Sequence, residues 1–326
     1  MGVMIDGRWH GDKNDFPRKD GHFVRQSSSF RNWITADGAP GPSGEGGFPA
    51  EAGRYHLYVS LACPWACRVL ILRKLKGLED TITVSVVDPK MDEEGWVFGD
   101  ASGDTPGANP DTVNGFDRLY EVYAKADPAY TGRAVVPVLW DKRRETIVNN
   151  ESSEIIRMLN DAFDAAGATG EDYYPEDLRA EIDAINEPVY EHVNNGVYKS
   201  GFAASQAAYD SAVGKLFETL DMLEARLSKQ RYLAGERITE ADWRLFTTLV
   251  RFDPVYHGHF KCNLRRLIDY PNLWAYTREL YQVPGTRETV DFDHIKTHYY
   301  WSHAGINPTR IVPFGPVLDF DAPHGR

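Results

Sequence analysis

From residue 54 onward the hydrophobic pattern changes period several times within a short span, and each change predicts an element. "YHLYV" (55–59) reads as a strand. Residues 64–76 then carry Ala66, Val69, Leu70 and Leu72 at helical spacing, and Gly77 stands where the helix should stop. "TITVSVV" (81–87), rich in β-branched residues, reads as a second strand. Strand, helix and strand in that order predict a βαβ unit with a parallel strand pair and a right-handed crossover. A helix over 116–125 is expected next, then a hairpin of "VVPVLW" (135–140) and "ETIVNN" (145–150) across the turn-like "DKRR". A further helix opens at Glu151 or Ser152. The whole order is that of an α/β thioredoxin-like domain over residues 53–165, with a Gly-, Pro- and Asp-rich insertion at 88–114.

Strand signals nearly vanish after Tyr174. "SAVGKLFETLDMLEARL" places Val213, Leu216, Phe217, Leu220, Leu223 and Leu227 at helical spacing, so an all-α domain is expected over residues 173–290. Residues 1–52 read as an ordered arm, because Trp9, Phe23, Phe30 and Trp33 need something to pack on. Residues 291–326 form a C-terminal extension, whose final thirty residues read as Pro-rich and extended.

Composition narrows the function classes. A chain of 326 residues with a formal charge of −12 is long enough for two cores and too acidic for nonspecific nucleic-acid binding. No apolar run is long enough to span a bilayer, and the N-terminus lacks a secretory or myristoylation pattern. Three cysteines, Cys63, Cys67 and Cys262, are too few for a disulfide framework and lack a second ligand pair for zinc. A reducing cytoplasm is the expected compartment, and no metal is expected.

The chemistry concentrates at "LACPWACRVL". Pro64 suits the first position of a helix, where the N–H it lacks would have had no partner, so Cys63 falls at or near the N-cap. Free helix N–H groups and the positive end of the dipole stabilise a thiolate there. The bland reading of Cys63 is a small buried hydrophobe. Cys67, one turn inside the helix, reads as core. A dithiol centre of the usual spacing would need cysteine at Ala66, so the expected chemistry is monothiol, with a mixed disulfide released by an outside thiol.

Two other places bear on it. Pro137 at the head of a strand suggests a cis peptide that would turn Val136 towards the thiol, where its backbone could pair with an extended peptide-like ligand; an edge-strand proline is the alternative. At "NNESSE" the start of a helix could hold a carboxylate through Ser152 and an ammonium through Glu151, the charge pair of an α-amino acid; ordinary capping is the alternative.

Together these features resemble the cytosolic glutathione transferases, and "ITEADWRLF" resembles that family's capping box at Thr239 and Asp242. More specifically, "SLACPWACRVLILRKLKGLED", "GWVFGD", "GRAVVPVLWD", "NNESSEIIRMLN", "NNGVYKSGFA", "RFDPVYHGHFKCN" and "HYYWSH" resemble the glutathionyl-hydroquinone reductases, the Xi class. The resemblance implies Cys63 as the catalytic cysteine and glutathione as co-substrate, held by Trp96, Arg133, the Val136 backbone, Glu151 and Ser152. It implies an aromatic-substrate pocket lined by Tyr198, Tyr256 and Tyr299, with the adjacent Tyr300 as the alternative register to Tyr299; carbon is a poor leaving group, so a proton donor is needed, and these tyrosines, Tyr198 and Tyr299 foremost, are the candidate acids. It also implies a homodimer.

The reaction so implied removes glutathione from a glutathionyl-hydroquinone through a Cys63 mixed disulfide. A conjugating transferase, a general glutaredoxin-like deglutathionylase and a noncatalytic binding module are the rival readings, separated by their dependence on Cys63 and by relative rates on a glutathionyl-hydroquinone and a simple mixed disulfide.

Overall fold

The computed structural model describes residues 2–13, 18–99 and 104–326. Asp100, the last residue of "GWVFGD", lies outside the described residues, as do 101–103 of the expected insertion. The chain divides into two compact units: residues 2–13, 27–99, 104–171 and 289–303 form the first, and residues 18–26, 172–288 and 304–326 the second.

The arm begins as an antiparallel hairpin, β1 (Val3–Ile5) with β2 (Arg8–His10), which pairs back on the first unit through reciprocal Met4 and Gly132 backbone hydrogen bonds of 2.8 and 3.0 Å. The short strands β3 (Arg18–Lys19) and β4 (His22–Phe23) fall in the second unit, where Phe23 packs on Phe202. Residues 30–32 return to the first unit and run antiparallel beside the last strand of its sheet, and Arg31 pairs with Glu154.

That sheet has the order β6-β5-β7-β8, from β5 (Tyr55–Val59), β6 (Thr83–Val86), β7 (Val138–Asp141) and β8 (Thr146–Asn149). β5 and β6 are parallel, as the βαβ reading expects, and β7 and β8 form the antiparallel hairpin, with an irregularity between Leu139 and Trp140. All five residues of β5 are buried, so both faces of the sheet are covered. Each fully buried Leu or Val there stabilises the fold by about 1.5–3 kcal/mol over its exposed state. At one end Arg54 donates to both carboxylate oxygens of Asp141 and closes β5 onto β7. α1 (Pro64–Leu75) follows β5 and packs on α3 (Ser152–Asp161); α2 (Leu119–Ala126) packs beside β8, closing a core of Tyr58, Trp140, Ile147, Leu119, Val122 and Tyr123.

The second unit is helical: α4 (Arg179–Pro188), α5 (Gly196–Gly201), α6 (Gln206–Leu227), α7 (Glu240–Leu249) and α8 (Pro271–Tyr281). Wider π turns at Val189–Asn194 and Phe252–Tyr256 interrupt the regular helices. α6 buries the expected stripe except at Val213, which is only half-buried. Every residue of α7 is buried, so its start needs internal partners. Thr239 and Asp242 supply them: the Asp242 carboxylate accepts from the Thr239 and Leu233 N–H groups at 2.7 and 2.9 Å and from the Tyr276 hydroxyl at 2.8 Å.

The C-terminal extension departs from expectation. Residues 292–302 are a helix, α9 (Phe292–Ser302), which belongs to the first unit, and the extended course begins only after it. Its sequence, "FDHIKTHYYWS", is too poor in aliphatic residues to show a helical stripe; the legible signal is Asp291, which caps the helix by accepting from the His294 N–H at 2.8 Å. Among the described residues no helix is long and apolar enough to cross a membrane.

Candidate active site

Cys63 is the N-cap of α1, with extended backbone angles, Pro64 at the first helical position and no side chain capping the helix. Its carbonyl accepts the first intrahelical bond, from the Cys67 N–H at 2.9 Å, and its half-buried thiol donates to the Val136 carbonyl at 3.5 Å. The Val136–Pro137 peptide is cis. The thiol and the Val136 backbone thus come together as the sequence suggested. Cys67 differs in every respect: it is fully buried and its sulfur faces the Thr289 carbonyl at 3.6 Å. Cys262, also fully buried, lies in the second unit, where burial pushes its thiol up to about 12.

Glu151 caps α3, accepting from the Ser153 N–H at 3.1 Å and the Ser153 hydroxyl at 2.9 Å, while the Ser28 hydroxyl donates to its other oxygen at 3.0 Å. Burial pushes this carboxyl up, but the bonds from Ser153 and Ser28 and the charge of Arg68 outweigh it and hold the group below the ordinary carboxylate range. Ser152, the first residue of α3, is buried. Ser28 was not legible as a site residue. It reaches Glu151 because the arm lies along β8, where the Phe30 N–H and carbonyl both bond Asn150.

Trp96 sits in the insertion, just after Gly95, whose φ of +74° favours glycine. A Cβ at Gly95 would come within 2.8 Å of the Trp9 ring, so the arm and this turn fit closely. The Trp9 indole donates to the Glu93 carbonyl at 2.8 Å and stacks on Tyr120 at 4.8 Å, which buttresses the turn that presents Trp96. Arg133 is half-buried, and its carbonyl accepts from the Tyr130 hydroxyl at 3.1 Å.

The four tyrosines divide between the units. Tyr299 and Tyr300 lie on α9 in the first, Tyr299 almost fully buried and Tyr300 half-buried. Tyr198 and Tyr256 lie in the second, with ring centroids 6.0 Å apart. Tyr256 is fully buried at the end of a π turn and stacks on Phe260, whereas Tyr198 is half-buried beneath the Arg25 guanidinium, 4.9 Å above its ring. Arg25, like Ser28, comes from the arm and carried no sequence signal. Among the described residues no group of three His, Cys, Asp or Glu side chains is placed to hold a metal ion.

A thioredoxin-like unit whose first helix opens on a thiol, joined in sequence to an all-helical unit, defines the glutathione transferase class. Residues 62–162 match the family model described as glutathione S-transferase, N-terminal domain, and residues 206–279 that described as glutathione S-transferase, C-terminal domain. The chain is 60% identical to glutathionyl-hydroquinone reductase YqjG of Escherichia coli K12, with 100% of this chain and 98% of that protein covered. It is 54% identical to glutathionyl-hydroquinone reductase PcpF of Sphingobium chlorophenolicum, with 97% of each covered. The glutathione-bound structure of the Escherichia coli protein superposes with a TM-score of 0.92 at 58% identity, covering 100% of this chain and 99% of that one. The Xi-class transferase of Natrialba magadii superposes with a TM-score of 0.90 at 50% identity, covering 100% and 96%. The chain belongs to the glutathionyl-hydroquinone reductases, the Xi class of the glutathione transferases.

Proposed function

We propose that this protein reduces glutathionyl-hydroquinones to hydroquinones at the expense of glutathione, with Cys63 as nucleophile. The observation that carries this reading is the Cys63 thiol itself, set at the uncapped start of α1 and 3.5 Å from the Val136 carbonyl. The only other thiol on that helix is buried against Thr289 and cannot act as an internal resolving group.

In the first step the Cys63 thiolate attacks the sulfur of the substrate's glutathionyl group. The sulfur–carbon bond breaks, its electron pair goes to the aromatic carbon, and that carbon takes a proton and leaves as hydroquinone. Cys63 is then joined to glutathione as a mixed disulfide. In the second step a glutathione thiolate attacks the glutathione sulfur, glutathione disulfide departs, and the Cys63 thiolate returns. In the net reaction Cys63 is unchanged, and one glutathione thiol and the substrate's thioether sulfur each give up one electron to the ring carbon. Tyr198 and Tyr299 are the candidate donors of its proton, and Tyr256 and Tyr300 complete the aromatic lining.

Glutathione is held at its γ-glutamyl end by the Glu151 carboxylate and by Ser152 at the positive end of α3, with the Val136 backbone along its middle and Trp96 and Arg133 from the insertion side. The persistently ionised Glu151 supports an ammonium partner. The protein acts in the cytoplasm, as its three free cysteines suggest, and as a homodimer, which the exposed Ile311, Phe314 and Val317 of the C-terminal segment would suit.

The test is Cys63→Ser beside Cys67→Ser, measured as glutathione disulfide formed from a glutathionyl-hydroquinone. Cys63→Ser should lower the rate at least about a thousandfold, while Cys67→Ser keeps the rate per folded molecule within about threefold. A Cys63→Ser protein working at the wild-type rate would refute the mechanism.

A further inference from the structure

The "HYYWSH" segment contains two histidines that the reaction does not use. One of them, His298, stacks on Trp96 with ring centroids 4.6 Å apart and planes 21° from parallel. Both rings are buried, His298 exposing 7% of its surface and Trp96 5%. A carbonyl only accepts, so the 2.9 Å contact between His298 Nδ1 and the Pro89 carbonyl places the ring hydrogen on Nδ1 and fixes the plane of the imidazole. Burial pushes this imidazole down to about 4, so at neutral pH the stack is between two uncharged rings.

The rest of α9 grips the same insertion. The Met91 N–H donates to the Ser302 hydroxyl at 2.9 Å, and His294 Nε2 donates to the Pro106 carbonyl at 2.6 Å. Elsewhere the Trp96 carbonyl accepts from the Leu119 N–H at 2.9 Å, and the residue belongs to a buried cluster with Met91, Phe98 and Leu119. A backbone tie fixes where the indole starts, whereas a stacked ring fixes where it points. Tyr299, the next residue on α9, is therefore carried by the same helix that orients Trp96.

We propose that His298 is a positioning residue, which holds the Trp96 indole in the orientation that receives glutathione. The inference rests on the reading of Trp96 as a glutathione-binding residue. Loss of the stack should leave the thiol chemistry intact and weaken the seating of glutathione and of the substrate's glutathionyl group alike.

Steady-state kinetics on the full chain with glutathione and a glutathionyl-hydroquinone test it, using His298→Ala, His298→Leu, His298→Phe and Trp96→Ala. The Ala and Leu variants should raise KM for both compounds about three- to tenfold, the size of an aromatic stacking contact, with kcat within about twofold. His298→Phe keeps a flat ring against the indole and should recover most of the lost KM. Leu fills the same space without stacking, so the Leu and Phe pair decides the matter even where Ala fails to fold. Equal KM values for Leu and Phe, or a loss carried in kcat, would overturn the proposal. If Trp96→Ala itself leaves both KM values unchanged, the glutathione reading of Trp96 fails; if Trp96→Ala raises them and His298→Leu does not, the positioning role alone fails.

Discussion

Two strands of one sheet run into helices that begin in opposite ways. β5 leads to Cys63, where no side chain caps α1 and no acidic residue lies in the first turn. β8 leads to Glu151, whose carboxylate caps α3 and is itself held by hydroxyls from Ser153 and from Ser28 of the arm. An uncapped helix start leaves its dipole for a thiolate or an incoming sulfur. A capped start with a carboxylate that stays ionised offers a fixed negative charge beside a positive dipole end, which is the pattern that a zwitterionic head group needs. On the function proposed above, one junction reacts and the other holds.

Acid should separate the two junctions, and this is the largest of the remaining effects. His56 lies within β5, fully buried, with Nδ1 2.7 Å from the Thr83 hydroxyl and Nε2 without a partner. Burial pushes it down to about 4. The unfolded chain therefore takes up a proton below about 6.5 that the folded chain refuses until about 4. Stability present above pH 6.5 is lost as the pH falls towards 4, by up to about 3 kcal/mol for this residue. Glu151 starts ionised where His56 starts neutral, and its pKa is lowered, so its contribution stays whole down to its unfolded value of 4.5 and is lost only as the pH falls on through its lower folded value. Urea midpoints measured between pH 7.5 and 4.5 should fall for the wild type and fall less for His56→Phe. A parallel decline in the two would show that the β5 side is not what acid attacks.

The holding junction is tested by removing charge without removing the cap. Glu151→Gln keeps an oxygen for the Ser153 N–H, so the melting temperature should move by no more than about 2–4 °C. KM for glutathione should rise about tenfold, since a desolvated carboxylate facing an ammonium is worth more than 1 kcal/mol. The rate at saturating glutathione should stay within about threefold of wild type. An unchanged KM would reduce Glu151 to an ordinary capping residue.

How much of this was legible depended on distance along the chain. β5, α1, β6, the β7–β8 hairpin and the capping of α3 are local patterns, readable from spacing, β-branching and cap residues, and the observed bounds lie within a few residues of those expected. The thiol at the start of α1 and the cis bond before Pro137 followed from proline chemistry at those positions. What stayed hidden reaches the site from far away in sequence. Ser28 lies 123 residues from Glu151, and His298 lies 209 residues from Pro89. No periodicity links such pairs, because each is fixed by where the arm or α9 settles. Tyr256, which the resemblance implies for the substrate pocket, has its ring fully buried on Phe260, a packing that no local pattern in the sequence showed.

The arm therefore provides the finest test of the comparison. Ser28 touches the holding junction through one hydroxyl, which also donates to the Asn150 carbonyl at 3.2 Å. In Ser28→Ala the carboxylate keeps both Ser153 donors, so it remains ionised and α3 remains capped. What changes is the freedom of the carboxylate to rotate away from the ligand. The expected rise in KM for glutathione is about two- to threefold, with stability lower by about 0.5–1.5 kcal/mol. Ser28→Thr restores a hydroxyl and should restore KM, a recovery that a purely structural loss in the arm would not produce. The effect should vanish in a Glu151→Gln background, because a neutral amide no longer gains from a donor that stabilises its charge. If Ser28→Ala raises KM equally in both backgrounds, the arm acts on glutathione by some route other than Glu151.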